Sequence, residues 1–148
     1  MSLPDKLSDL IDLALSDMEK VEKDKLYTVD LEHFHQPRYG VCHVCFAGCA
    51  IAKTLNVPVT SSLYPFQCDE DVNKKLRALD SIASGNVHTA FWHLKIDDAK
   101  FASYLNKRFD RRCKKDGIIG WEDMYLQNPD RFKEYMRRFS HSLKQREL

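Results

Sequence analysis

The chain has 148 residues, 43% hydrophobic and 30% charged. It is long enough to bury a core without staples and has the profile of an ordinary soluble domain. No apolar run reaches the roughly 20 residues of a membrane span, and the first residues are acidic and amphipathic rather than basic then apolar. Five cysteines, an odd number without a secretory signal, argue for free thiols in a reducing compartment, so a cytoplasmic location is expected.

Net charge is +1 but sorted along the chain. Residues 1–36 hold nine acids and four bases, and residues 100–148 hold thirteen bases and seven acids. Such polarity predicts helix faces that attract one another, or a basic surface for an anionic partner.

The first predicted helix is the acidic amphipathic segment 1–24. Ser2 and Asp5 have capping-box spacing, and Leu7, Leu10, Ile11, Ala14, Met18 and Val21 form one stripe. Leu26–Leu31 alternates like a short strand, and His33–Gly40 reads as a loop punctuated by Pro37 and Gly40. A second helix is expected from Cys42 or Cys45 to Leu55, stopped by Asn56 and Pro58. Its stripe of small residues, Cys45, Gly48, Cys49 and Ala52, predicts that another helix or the preceding loop approaches closely.

A third helix should start near Asp69 and carry Val72, Leu76, Leu79 and Ala83 inward, with Gly85 as its stop. Asn86 can cap a short fourth helix through Leu94. In that helix the aromatics Phe91 and Trp92 read as core. The fifth runs from about Asp97 to Cys113 on Phe101, Ala102, Leu105 and Phe109, and Gly120–Leu126 is a short helical turn. Glu122 and Asp123 there read as capping and surface residues. Asn128-Pro129 is an N-cap followed by proline at the first helical position, opening the C-terminal segment 128–148 with Phe132, Tyr135, Met136, Phe139 and Leu143 inward. The expectation is a mainly α, compact single domain, 1–148, of six or seven helices with at most one short strand pair.

The chemistry-bearing segment is Gly40-Val-Cys-His-Val-Cys-Phe-Ala-Gly-Cys49, which holds three of the five cysteines. Cys42-x-x-Cys45 is half of a structural zinc site; the nearby candidates to complete it are His33, His35, His43 and Cys49, with Cys68 farther along, and His35 and His33 from the preceding loop could close it. The metal set is therefore His35, Cys42 and Cys45. Without a second Cys-x-x-Cys pair, no resident cofactor is expected, zinc being the metal the spacing admits. A catalytic reading takes Cys45 at a helix start, where backbone N–H groups lower a thiol pKa, with His35 as its base.

Residues 40–47 also resemble the papain-type active-site segment, in which Gly-x-Cys-Gly-Ser-Cys-Trp-Ala opens a helix at the reactive cysteine. That resemblance implies a cysteine-dependent hydrolase or transferase. Helices rather than the required downstream sheet follow here, and His43-Val44 replaces Gly-Ser. A packing reading makes the cysteines small buried residues.

A broader resemblance rests on Phe34, His35, Cys42, Val44, Cys45, Ala47, Gly48, Ile51 and Ala52, with Leu76–Gly85 as the following helix. Over about residues 27–90 the chain resembles small, largely uncharacterised proteins of tailed bacteriophages. This implies an intracellular phage accessory protein and brings no activity with it.

No nucleotide-binding glycine loop, zinc-protease helix or hydrolase elbow is present. The leading expectation is a protein that binds a host protein or a small anionic ligand, with Tyr39, His43, Arg111 and Arg112 as candidate contacts. Lys107–Lys115 holds six bases in nine residues. It reads mainly as a solvated face complementing the acidic first helix, so nucleic acid is not the expected partner. The alternative is a cysteine enzyme or Cys/His metal protein centred on Cys42 and Cys45.

Overall fold

The computed structural model describes residues 3–118 and 121–148, and all their side chains except those of residues 121–123. Ser2, Gly120 and the side chains of Glu122 and Asp123 therefore lie outside the described part. The described residues form seven helices and a small sheet: α1 (Leu7–Glu22), α2 (Phe46–Lys53), α3 (Glu70–Ala83), α4 (Val87–His93), α5 (Ala99–Lys115), α6 (Trp121–Gln127) and α7 (Pro129–Lys144). The strands are β1 (Tyr27–Val29), β2 (His35–Arg38) and β3 (Val41–Val44), and Pro65–Gln67 forms a 3-10 turn. The fold is mainly α, as the stripes predict, and the sheet has one strand more than a pair.

The inward stripes are the buried ones. Leu10, Ile11, Ala14, Met18 and Val21 of α1 are fully buried, as are Phe132, Tyr135, Met136, Phe139 and Leu143 of α7. Each large apolar side chain so placed stabilises the fold by about 1.5–3 kcal/mol. Asp69, Asn86, Asp98 and Asn128 cap α3, α4, α5 and α7, each accepting a backbone N–H of the first turn. Helix α1 starts instead after Lys6, without a side-chain cap. Lys75, itself buried, ties the N-terminal segment to α3 by donating to Leu3 O and Asp5.

Helix α1 packs on α2, α3, α7 and β1. Its acidic edge meets the basic edge of α7: Glu22 pairs with Lys133 at 2.5 Å, Glu19 with Arg137 at 3.2 Å, and Asp12 with Lys144. The partner numbers run in opposite directions, so the helices are antiparallel. Charge sorting between chain ends is thus partly an intramolecular match. It is made by α7 rather than by the basic run of α5. Trp92 departs from the core reading: Phe91 is buried, but Trp92 is exposed.

Asp17 is buried beneath α2, where it accepts a 2.5 Å hydrogen bond from the Thr54 hydroxyl. Desolvation raises its pKa, opposed by Thr54 and Lys20. A carboxyl with a raised folded-state pKa costs stability as pH climbs from the unfolded value towards the folded one, because the unfolded chain ionises first. Asp17→Asn removes that cost. The stability difference should therefore move in the variant's favour as pH rises through and above the ordinary carboxylate range. Urea titrations of both proteins across this range check it. A difference independent of pH, or moving towards wild type, would contradict the argument.

Strand order is β1-β3-β2, with β1 parallel and β2 antiparallel to β3. Pro37 is tolerated because β2 is an edge strand. Tyr39 and Gly40 both have positive φ, 53° and 79°, and form the two-residue turn joining β2 to β3. The parallel pairing has a geometric consequence. The chain leaving β1 must cross the C-terminal end of β3 to reach β2, so residues 30–34 arch over the point where β3 passes into α2. Two features of the molecule follow from this arch, one at Gly48 and one at Asp30.

Candidate functional site

The sheet divides the chemistry between its faces. Cys42 and Val44 point inward and are buried, whereas His43 is on the opposite face and half-buried. His35, at the start of β2, is buried.

On the inner face, His35 Nδ1 donates to the Ser61 carbonyl at 2.6 Å, and Leu63 N–H donates to the His35 carbonyl at 2.9 Å. His35 thus anchors the 58–63 loop to the sheet. Cys42 Sγ lies 3.6 Å from both ring nitrogens of His35. Equal distances put the sulfur on the mid-plane between the two nitrogens, in line with neither, and Nδ1 is already committed to Ser61. Burial lowers the His35 pKa and raises that of Cys42, so both groups are held neutral.

Cys45 is the N-cap of α2. Its Sγ accepts the Gly48 N–H at 3.3 Å. The helix start therefore lies at Cys45 and not at Cys42, which is in β3. Burial, with Asp80 adding to it, pushes the Cys45 thiol up to about 12, and the backbone N–H groups offset only part of this. The dipole and N–H argument for an activated thiol has the right sign, but desolvation outweighs it. Cys45 and His35 are not paired as nucleophile and base. His35, Cys42 and Cys45 do not converge as a ligand set among the described residues. Cys49 is also buried, and burial followed by the charges around it raises its pKa well above the ordinary value.

The residues that carry the phage resemblance are mostly a packing unit. The Phe34 carbonyl and Val44 side chain press on Gly48, His35 fastens a loop, Cys45 caps, and Ala47, Ile51 and Ala52 are buried.

On the outer face the 30–34 arch brings Asp30 and His33 to His43. Asp30 N–H donates to the Val44 carbonyl at 2.7 Å, extending the β1–β3 pairing by one residue. Asp30 Oδ1 accepts the Glu32 N–H at 2.9 Å, and Oδ2 lies 3.1 Å from His33 Nδ1 and 2.9 Å from His43 Nδ1. Burial opposes ionisation of Asp30, but the Glu32 N–H and the two imidazoles win and lower its pKa. A cavity of about 680 Å³ opens beside Asp30 and His43, walled by Thr28, Leu31 and Leu126. His33 and His43 are among the ligands the sequence suggests, but Asp30 is not. The signals that find Asp30 are its Asp-x-x-His spacing to His33 and the strand parity that turns His43 away from Cys42.

The remaining candidates separate. Tyr39 stands fully exposed at the β2–β3 turn. Arg111 and Arg112 lie with Arg108, Lys115 and Arg138 around a groove of about 260 Å³ between α5 and α7, over Phe109 and Tyr135. The seam beneath it is aromatic: Phe109 stacks on Phe139 at 4.6 Å and meets Tyr135 edge-on at 6.3 Å. Tyr135 donates to Asp116, which also pairs with Arg131 at 2.9 Å and lies 3.6 Å from Arg112 Nε. One carboxylate thus serves Arg131 and, of the rim cations, Arg112. Arg112 Nε is buried and has no hydrogen-bond partner among the described residues.

No described helix is long and apolar enough to cross a membrane. Compared with protein-family models, curated proteins and solved structures, the chain matches none of them.

Proposed function

We propose that the protein is a small phage accessory protein that acts in the host cytoplasm by binding, and that its ligand is a small anion held in the α5–α7 groove. The observation that supports this is the cationic rim of Arg108, Arg111, Arg112, Lys115 and Arg138 above a buried aromatic floor. Guanidinium groups match phosphate and carboxylate oxygens bidentately, and convergence on one concavity favours a compact anion. The α1–α7 match uses Lys133, Arg137 and Lys144, so the groove cations are not those consumed by the acidic helix. The groove is short and carries no exposed stack of aromatics of the kind that tracks a single strand.

Less supports cysteine chemistry, because Cys45 is buried and held as a thiol. Calorimetric titration with pyrophosphate and nucleoside diphosphates tests the proposal. Saturable binding lost in the double variant Arg111→Glu, Arg112→Glu is expected, with only weak binding of DNA or RNA at about 0.15 M salt. Submicromolar nucleic-acid binding that survives this salt and vanishes in the double variant would replace the small-anion reading with a polynucleotide one. Failure of every anion to bind would remove it.

A further inference from the structure

We infer that Asp30, His33 and His43 form a binding site for one divalent transition-metal ion of the zinc or iron(II) class, with its open coordination positions facing the cavity beside Thr28, Leu31 and Leu126. The site shares no residue with the α5–α7 groove and stands independently of it.

Three observations carry the inference. The first is the donor set. Among the described residues this is the group of His, Cys, Asp and Glu side chains whose ligand atoms come together. Two imidazoles and one carboxylate suit zinc or iron(II), whereas magnesium and calcium prefer all-oxygen shells.

The second is spacing. Asp30 Oδ2 lies 2.9 Å from one Nδ1 and 3.1 Å from the other. Cis ligands bound at about 2.0–2.2 Å are separated by roughly 2.9–3.1 Å in an octahedral shell, so both distances from Asp30 match such a shell, and all three ligand atoms lie within 4.8 Å of one another.

The third is scaffold and access. His43 is in the central strand, paired on both sides. Asp30 is fixed at its backbone to Val44 and at Oδ1 to Glu32, and His33 N–H donates to the Asp30 carbonyl at 3.2 Å. All three side chains are about a quarter exposed or less, and Asp30 and His43 reach the cavity. A closed structural site would supply a fourth protein ligand, whereas three ligands beside a cavity leave room for water or substrate.

Proton bookkeeping gives the inference a distinctive signature. Without metal, both Nδ1 atoms carry protons donated to Asp30, and His33 Nε2 accepts from Arg38 at 3.4 Å. Metal on Nδ1 moves each ring proton to Nε2, with no net release from neutral rings. His33 Nε2 then becomes a donor and can no longer accept from Arg38, so that exposed side chain must swing away. Arg38→Ala should therefore bind metal at least as well as wild type.

The test titrates the full chain, stripped with a chelator and kept reduced, with Zn²⁺ and Co²⁺. Calorimetry counts the sites, and long-range nitrogen–proton NMR follows the six imidazoles. One equivalent is expected, with metal on Nδ1 of His33 and His43 and no change at His35, His88, His93 or His141. Asp30→Ala and His43→Ala should each weaken binding by at least about 100-fold, and Cys68→Ser should leave it unchanged. Circular dichroism checks the fold of each variant, and the wild-type NMR result decides the matter even if a variant fails to fold. No saturable binding, metal appearing on other imidazoles, or affinity surviving in folded His43→Ala would overturn the site.

Discussion

Replacing Gly48 with alanine is expected to destabilise the protein by at least about 3 kcal/mol, the largest effect of any single methyl group discussed. A Cβ at this position would stand 1.7 Å from the Phe34 carbonyl oxygen, 2.8 Å from its carbon and 3.0 Å from Val44 Cβ. The first distance is near bonding range, and the obstacle is backbone, which cannot rotate away as a side-chain tip can. Helix α2 and the 30–34 arch must therefore separate. The arch is held by the Asp30–Val44 and Leu63–His35 hydrogen bonds, so separation strains them as well. Overpacking typically costs about 1–3 kcal/mol, and backbone contact this close belongs at or beyond the upper end. Against a total stability of about 5–15 kcal/mol, such a loss is large. The urea midpoint of Gly48→Ala, read beside that of Ala50→Gly on the same helix, measures it. The reverse swap in a well-formed turn should cost only the helix propensity of glycine plus one buried methyl. A loss below about 1 kcal/mol at Gly48 would mean that the arch does not rest on α2 as described.

The sequence foretold the close approach at Gly48, by another helix or by the preceding loop, and the Phe34 carbonyl of that loop makes it. The spacing of Cys45, Gly48, Cys49 and Ala52 does not choose between the two. That it is the 30–34 arch depends on β1 pairing parallel to β3, and no local pattern encodes this pairing. The helices were legible because their signals are local: Asp69, Asn86 and Asn128 accept first-turn N–H groups in the structure as their positions imply. The sheet was hidden for identifiable reasons. Pro37 reads as a breaker and is harmless only because β2 is an edge strand. Tyr39-Gly40 disguises a turn more often written Asn-Gly. Strand β3 runs into α2 with a cysteine as its N-cap, a residue outside the usual capping set. The site was half legible for the same cause. His35 and Cys42 are neighbours, as the candidate set of His35, Cys42 and Cys45 implies in part, but they face the core. The outward cluster includes Asp30, which looks in the sequence like one more acidic residue of an acidic segment.

The second large effect concerns the thiols. Of the five cysteines, Cys68 alone is expected to be alkylated readily in the native protein, with Cys45 at least about 1000-fold slower. Cys42, Cys45, Cys49 and Cys113 are buried, and Cys68 is partly exposed. Only the thiolate reacts. With its thiol held at about 12, Cys45 at neutral pH carries a thiolate fraction some 10³-fold below that of a thiol at the reference value of about 8.5. Access lowers the rate further, since the sulfur is occupied by the Gly48 N–H and covered on all sides. Modification of Cys45 should therefore follow opening of the fold, rising with urea in step with unfolding rather than with a titration near neutral pH. Mass spectrometry of iodoacetamide-treated protein, resolved by residue and by pH, distinguishes the two behaviours. Cys45→Ser sharpens the contrast. A hydroxyl is the better N-cap acceptor, so the variant should keep its fold within about 1 kcal/mol of wild type, whereas a nucleophile so replaced would lose its reaction. Fast alkylation of native Cys45, titrating below about 8.5, would show that the helix start activates this thiol after all, and would move the cysteine-enzyme reading from alternative to first place.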